Sequence, residues 1–372
     1  MGGIMKDEKK YWIGFNLVRG IGSVRFQQIR SFFGDLSLAW QAPPDAFRQV
    51  GLPERALVNF LKLRQEIDLD QVYESILAKD VTVLTLLDQD YPDLLKEIDQ
   101  SPPVIYVNGM LTPADAFAVA VVGTRKVSDY GQQVARDTCT YLAARGLTIV
   151  SGLARGVDAL AHQHALKAGG RTIAVLGSGV DVIYPPEHRK LASAIVENGA
   201  LVSDYPLGTK PEGVNFPPRN RIISGLSLAT IVIEAGDRSG ALITADFALE
   251  QGREVFAVPG NVLSPVSRGT NRLIQNGAYA MVSPQDVMDV LDLKEIDAKK
   301  DARQLLPTDE IEAKILQVFD YNPMHIDEIC NQTGLAIEKV SAALTLMELK
   351  GLLQHVGGMR YASIQDMNRK QV

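Results

Sequence analysis

Between residues 80 and 290 seven apolar runs recur: VTVLTLL, AFAVAVVG, LTIVSG, TIAVLGSG, ALVSDY, LATIVIEAG and EVFAVPG. Each is separated from the next by a stretch that reads as helix or turn. The runs are β-branched or rich in Ala and Val, and none alternates cleanly between apolar and polar positions. A strand with one wet face must alternate, so strands that do not are buried on both faces, as in a parallel sheet covered by helices. Amphipathic segments lie between them. In 130–145, Ala135, Cys139 and Leu142 fall on one stripe, and in 156–168 Val157, Leu160 and Ala161 point inward before Gly169-Gly170 ends the helix. The pattern predicts an open, doubly wound α/β sheet over residues 71–292.

With 372 residues the chain has room for two or three domains. Hydrophobic content of 46% and charged content of 22% are ordinary for a soluble globular protein. No run approaches the roughly 18 apolar residues of a membrane span, and the first residues lack the apolar centre of a signal peptide. Cys139 and Cys330 stand far apart, which supports neither a disulfide framework nor a zinc knuckle and suits a reducing cytoplasm. The formal net charge is −6, so any site for a polyanion must be a local groove rather than a whole face.

The flanks read differently. Residues 1–70 are helical in pattern, with breaks at Gly34, Pro43-Pro44 and Gly51-Leu52-Pro53. The turn Gly20-Ile21-Gly22 fits either a helix–hairpin–helix, whose backbone N–H groups can hold a phosphate, or a plain bundle turning on glycine. Residues 293–307 are charge-rich and end in Pro307, as a linker would. Within 308–372, helices are expected at 309–319, at 325–333 and from Gly334 through Lys350. A hairpin with Gly357-Gly358 at its tip comes next, giving a winged helix. Its third helix, IEKVSAALTLMELK, sets Lys339 and Lys350 against two glutamates, which favours contact with protein over reading of a major groove.

In doubly wound sheets ligands bind beyond the carboxyl ends of the strands. Three such ends carry small residues with an arginine beside them: Gly123-Thr124-Arg125, Gly152 to Arg155-Gly156, and Gly236 to Ser239-Gly240. Each would place backbone N–H groups at a helix start, where an anion is favoured. No G-x-x-x-x-G-K-[ST] is present, and Gly177-Ser178-Gly179 lacks the third glycine of a dinucleotide fingerprint. His162 and His164 are two apart and cannot share a helix face as metal ligands, and no G-x-S-x-G elbow occurs. These readings leave no metal, cofactor or catalytic residues to assign. The stretch NFPPRNRIISG sets Arg219, Asn220 and Arg221 directly after Pro217-Pro218, which reads as a stiff turn presenting its charges. A groove built from Arg125, Arg155, Lys210, Arg219 and Arg221, with Phe216 and Tyr205 as aromatic platforms, suits single-stranded nucleic acid. One or two of these arginines are expected to pair internally with Asp158, Asp204, Glu234 or Asp237, Arg221 first among them.

The blocks VAVVGTRKVSDYG, IVSGLARGVDALAHQHAL, LGSGVDVIYPPEH, SDYPLGTKPEGVNFPPRNRIISGLS, IEAGDRSGALITADFALEQGREVFAVPGNV and GTNRLIQNGA resemble the DprA/Smf family of DNA-processing proteins over most of 80–285. The resemblance implies an extended Rossmann-like, doubly wound, mostly parallel sheet, a helical N-terminal domain of the sterile-alpha-motif or hairpin type, and a C-terminal winged helix. It implies a cytoplasmic, non-enzymatic protein of natural transformation and recombination. Such a protein would bind and shield single-stranded DNA, help load RecA recombinase onto it, and dimerise through the α/β domain. The family's DNA-contact positions fall on Gly123-Thr124-Arg125, on Lys210 and on the Phe216 region. A competing class is the phosphoribohydrolases of similar architecture, but the matching turn, Ser239 to Thr244, has no glutamate until Glu250. A winged-helix regulator with a small-molecule sensor is a third reading, disfavoured by the poorly basic third helix.

Overall fold

The computed structural model describes residues 6–293 without a break and, beyond them, 311, 314–315, 318, 324–349 and 353–363. The chain up to Leu291 forms one compact unit, and the remainder from Asp292 forms a second.

Six helices open the first unit: α1 (Lys6–Leu17), α2 (Ser23–Phe33), α3 (Leu36–Gln41), α4 (Pro44–Gln49), α5 (Glu54–Glu66) and α6 (Leu69–Leu77). Their core is aromatic. Phe15 stacks on Phe60 at 5.2 Å and meets Trp40 edge-on at 5.2 Å, and such pairs add about 0.5–1.5 kcal/mol each beyond their area burial. Helix α1 is also tied to the margin of the sheet. Lys9 Nζ donates to the Val83 carbonyl at 3.1 Å and pairs with Asp88 at 2.8 Å, and Tyr106 Oη donates to Asn16 Oδ1 at 2.9 Å.

The sheet comprises β1 (Val81–Thr85), β2 (Val104–Gly109), β3 (Ala118–Val122), β4 (Thr148–Ser151), β5 (Thr172–Val175), β6 (Gly199–Ser203), β7 (Ala229–Val232), β8 (Glu254–Ala257) and β9 (Tyr279–Ala280). Their spatial order is β1-β2-β6-β5-β4-β3-β7-β8-β9. All pairs from β6 through β9 are parallel, and β1 and β2 add an antiparallel margin. The seven anticipated runs are all strands, and β3 to β7 are buried along their whole length. Two strands were not anticipated: β2, which comes after Pro102-Pro103, and the two-residue β9.

The connections are α7 (Asp93–Lys96), α8 (Asp129–Ala144), α9 (Val157–Lys167), α10 (Arg189–Glu197), α11 (Phe216–Gly225), α12 (Gly240–Glu250), α13 (Arg268–Gln275) and α14 (Gln285–Val290). Helices α8, α9 and α10 pack side by side over β3 to β6, while α11 packs on α12, which covers β7 and β8. The chain runs outward from β3 through β4, β5 and β6, then returns to place β7 on the other side of β3. The order therefore reverses between β3 and β7, and a crevice opens there beyond the strand ends.

One local expectation is corrected. The segment 215–225 is not a stiff turn. Residues Phe216–Gly225 form α11, with Pro217 and Pro218 in its first turn, where a missing N–H forfeits no intrahelical bond. The helix carries Arg219 and Arg221 inward, 4% and 8% exposed, rather than presenting them on the surface.

In the second unit, α15 (Ile326–Thr333) begins with a capping box between His325 and Glu328 and ends on Gly334 in the left-handed region, φ 68°. It packs on α16 (Ile337–Leu349) around Ile329, Val340, Leu344 and Met347. Strands β10 (Met324–His325), β11 (Leu353–Gly357) and β12 (Arg360–Ser363) form a sheet in the order β10-β12-β11. The hairpin tip is Gly358-Met359, both at positive φ, one residue later than the anticipated Gly357-Gly358. The anticipated linker 293–307, Leu293 apart, lies outside the described residues. So do most of the anticipated helix 309–319 and Lys350.

Candidate functional site

The crevice between β3 and β7 is a cleft of about 800 Å³. Three walls build it: the loop after β3 with Gly123, Thr124 and Arg125; the turn after β7 from Gly236 to Gly240; and the first turns of α11 with Phe216, Pro217 and Asn220.

The first wall is held from both sides. Thr124 N donates to the Glu234 carbonyl at 2.8 Å, and Val157 N donates to the Thr124 carbonyl at 3.2 Å. The Glu234 carboxylate, 2% exposed, accepts from Ser128 N at 2.9 Å and from Ser128 Oγ. Arg125 thus projects from a pre-ordered loop, and among the described residues it enters no ion pair. A side chain at Gly123 would strike Val157, and one at Gly156 (φ +79°) would collide with the Thr124 carbonyl. A side chain at Gly152 would collide with the Arg219 guanidinium. These three glycines allow close packing under the loop, and Gly152 and Gly156 do not line the cleft.

Arg219 forms part of the floor. Its Nη1 donates to the Gly152 carbonyl at 2.9 Å and to the Val175 carbonyl, tying α11 beneath the ends of β4 and β5, while its Nε has no partner among the described residues. A buried guanidinium needs such acceptors and a counter-charge, and the buried acid coupled to it electrostatically is Asp158, 8% exposed. Burial pushes the Asp158 carboxyl above its usual range, with Arg219 opposing the shift. Burial likewise pushes Arg219 down to about 10, so it stays protonated at neutral pH. The Phe216 ring lies 5.9 Å from its guanidinium carbon.

Arg221 belongs to an internal network, as its expected pairing implied. It meets Asp204 at 2.8 Å and donates to the Gln100 carbonyl at 3.0 Å and the Pro218 carbonyl at 2.9 Å. It positions α11 and does not line the cleft. Arg155 stands outside the lining too, and its Nε is held by Glu187 at 2.6 Å. Lys210 is exposed on the loop just before Pro211, which does line the cleft. Asn220 donates to the Gly240 carbonyl at 3.3 Å, joining two walls, and Ser239 caps α12 by accepting from Ala241 N at 3.3 Å.

Arg238 and Tyr184 also line the cleft and were not named in the expected groove. Arg238 is exposed and, among the described residues, free of any ion pair, and its neighbour Asp237 faces Arg268 instead at 3.8 Å. Tyr184 stands on the lip with its ring 5.9 Å from that of Phe216. Arg238 was visible within the turn after β7, whereas Tyr184 reaches the cleft from a loop more than thirty residues from Phe216 in sequence. Glu250, the carboxylate that a phosphoribohydrolase would need, sits at the far end of α12 beside a separate hollow with Glu97 and Asp99. His162 is fully buried. Thr172 Oγ1 donates to the Ile149 carbonyl and so accepts from His162 Nδ1–H, and burial, which pushes the ring's pKa down to about 3, keeps it a neutral packing group.

Fold and site together define a Rossmann-like protein with a cationic, aromatic-lipped cleft at its sheet reversal and a separate C-terminal unit. Residues 82–292 match the family model of DNA recombination-mediator protein A, and residues 299–359 match that of the DprA winged helix domain. The chain belongs to the DprA/Smf family. It is 37% identical to protein Smf of Synechocystis sp. over 95% of this chain and 98% of that one. It is 44% identical to the DNA processing protein DprA of Streptococcus pneumoniae over 55% of this chain and 72% of that one. Among solved structures, the S. pneumoniae DprA has a TM-score of 0.67 at 35% identity, covering 75% of this chain and 97% of that one. The Helicobacter pylori DprA, described with its single-stranded DNA binding mode, has a TM-score of 0.52 at 29% identity, covering 57% and 95%.

Proposed function

We propose that the protein binds single-stranded DNA in the cleft between β3 and β7, shields it, and presents it to RecA recombinase during DNA uptake and recombination. It works in the cytoplasm as a homodimer through the α/β domain, by binding rather than by catalysis. One observation carries the reading: Arg125 and Arg238, with no ion pair among the described residues, flank a cleft whose lip is an aromatic pair and whose floor holds a buried guanidinium. Cations follow a phosphodiester backbone while rings stack on bases of any identity, and a duplex, whose bases are already stacked, offers no faces to the rings. Family membership and the single-stranded DNA binding of the H. pylori relative support this assignment. The contacts fall to the Gly123-Thr124-Arg125 loop, Lys210, Phe216, Asn220 and the Ser239-Gly240 turn, with Arg219 supplying charge from below.

Fluorescence anisotropy of a labelled oligo-dT, titrated against unlabelled single strand and duplex, tests the binding step. Single strand should displace the probe far better than duplex, with affinity falling steeply as salt rises. Equal displacement by duplex would refute the reading. Faster nucleation of RecA filaments on strands pre-bound by the protein tests the later step.

A further inference from the structure

Arginine is suited to phosphate because its planar fork binds two oxygens at once, and the first helical hairpin concentrates it. Between α1 and α2 the chain turns through Arg19 and Gly20, the latter at φ +104°. The start of α5 faces this turn, and Arg19, Arg25 and Arg55 surround a hollow of about 330 Å³ with Gly20, Pro53 and Asn59. No carboxylate among the described residues lines it. Arg25 donates to the Gly20 carbonyl, Asn59 fixes the Arg19 carbonyl at 2.8 Å, and Glu54, next to Arg55, is held by Arg48 at 3.0 Å. Among the described residues none of the three guanidiniums forms an ion pair. Neither Gly22 before α2 nor Pro53 before α5 caps its helix with a side chain, and while Ala56 N meets the Pro53 carbonyl at 2.8 Å, the earlier N–H groups of each first turn have no intrahelical acceptor. In a chain of net charge −6, three unneutralised arginines around one concavity mark a local polyanion contact.

The helix that carries Arg25 is also in contact with α11, which forms one wall of the cleft. Ser23, the first residue of α2, lies 3.4 Å from Arg221, which in turn donates to the Pro218 carbonyl in the first turn of α11. Phe216, Pro217 and Asn220 of that same helix line the cleft. We infer that the hollow is a second phosphodiester contact for the strand held in the cleft. A strand leaving the cleft across the first turn of α11 lays its next phosphates against Arg19, Arg25 and Arg55. This rests on the cleft reading and lengthens the site.

The test is anisotropy over a salt series with a short oligo-dT and one several times longer, on the full chain, the double variant Arg19→Ala/Arg55→Ala, the pair Arg19→Lys/Arg55→Lys, and Arg125→Ala. The double alanine variant should bind the short oligomer like wild type. On the long one it should lose affinity, with its log–log salt slope flatter by about 1.4, two contacts at about 0.7 each. The lysine pair should keep most of that slope. Wild-type affinity and slope on the long oligomer, or equal loss on both lengths, overturns the inference. Arg125→Ala binding both lengths like wild type overturns the cleft reading and the extension with it, an outcome separable from a loss confined to the hollow.

Discussion

Arg125 stands on a loop that Glu234 and Val157 hold from opposite sides, and no carboxylate among the described residues takes its charge. Arg155 lies one strand away and gives its guanidinium to Glu187. Arg125→Ala should therefore weaken single-strand binding and flatten the salt slope by about 0.7, one phosphate contact. Arg155→Ala should change the slope by much less, and a salt titration of both variants separates them. His162 makes a second residue-level prediction. Burial pushes its pKa down to about 3 from 6.5, so the unfolded chain binds a proton that the folded one refuses. Its contribution is complete above about pH 6.5 and is lost as pH falls toward 3, costing on the order of 1–2 kcal/mol between about pH 7.5 and about pH 5.5. Urea unfolding at those two values should show a clearly smaller loss in His162→Asn than in wild type, the remainder including His164, whose pKa burial also lowers.

Among the elements, α11 decides the shape of the cleft, since it brings in Phe216, Pro217, Arg219 and Asn220 together. Its anchor is the largely buried Arg221–Asp204 pair at 2.8 Å. Removing one partner of such a pair leaves an uncompensated charge, so Asp204→Ala should lower stability by about 3 kcal/mol in urea unfolding and weaken single-strand binding through α11. Seven strands were legible because a strand covered on both faces shows itself as an unbroken apolar run. β9 was not, being two exposed residues long, and β2 was missed behind a pair of prolines. The arginines of α11 were misread for a related reason. A proline pair starts a helix as readily as it stiffens a turn, and the carbonyls that draw Arg219 inward lie 67 and 44 residues away in sequence. Arg221 was better placed for inference, because Asp204 stands only 17 residues before it. Arg125 and the turn after β7 were legible because a strand end followed by small residues is a local pattern.

At the scale of the whole molecule, the proposed binding of a polyanion by a chain of net charge −6 rests on a local group of cations beyond the ends of β3 and β7. Of the charges on α16, Lys339 stands against Glu338 and Glu348. Deleting residues 308–372 should thus leave single-strand affinity within about tenfold, roughly 1.4 kcal/mol, as read by the same anisotropy titration. The location of the strand itself is tested most directly by crosslinking. A 5-iodouracil oligonucleotide, irradiated in complex with the full chain and mapped by mass spectrometry, should attach at Tyr184 and Phe216, the rings on the lip of the cleft. Attachment confined to α15, α16 or the β11–β12 hairpin, with neither lip ring labelled, would contradict the account.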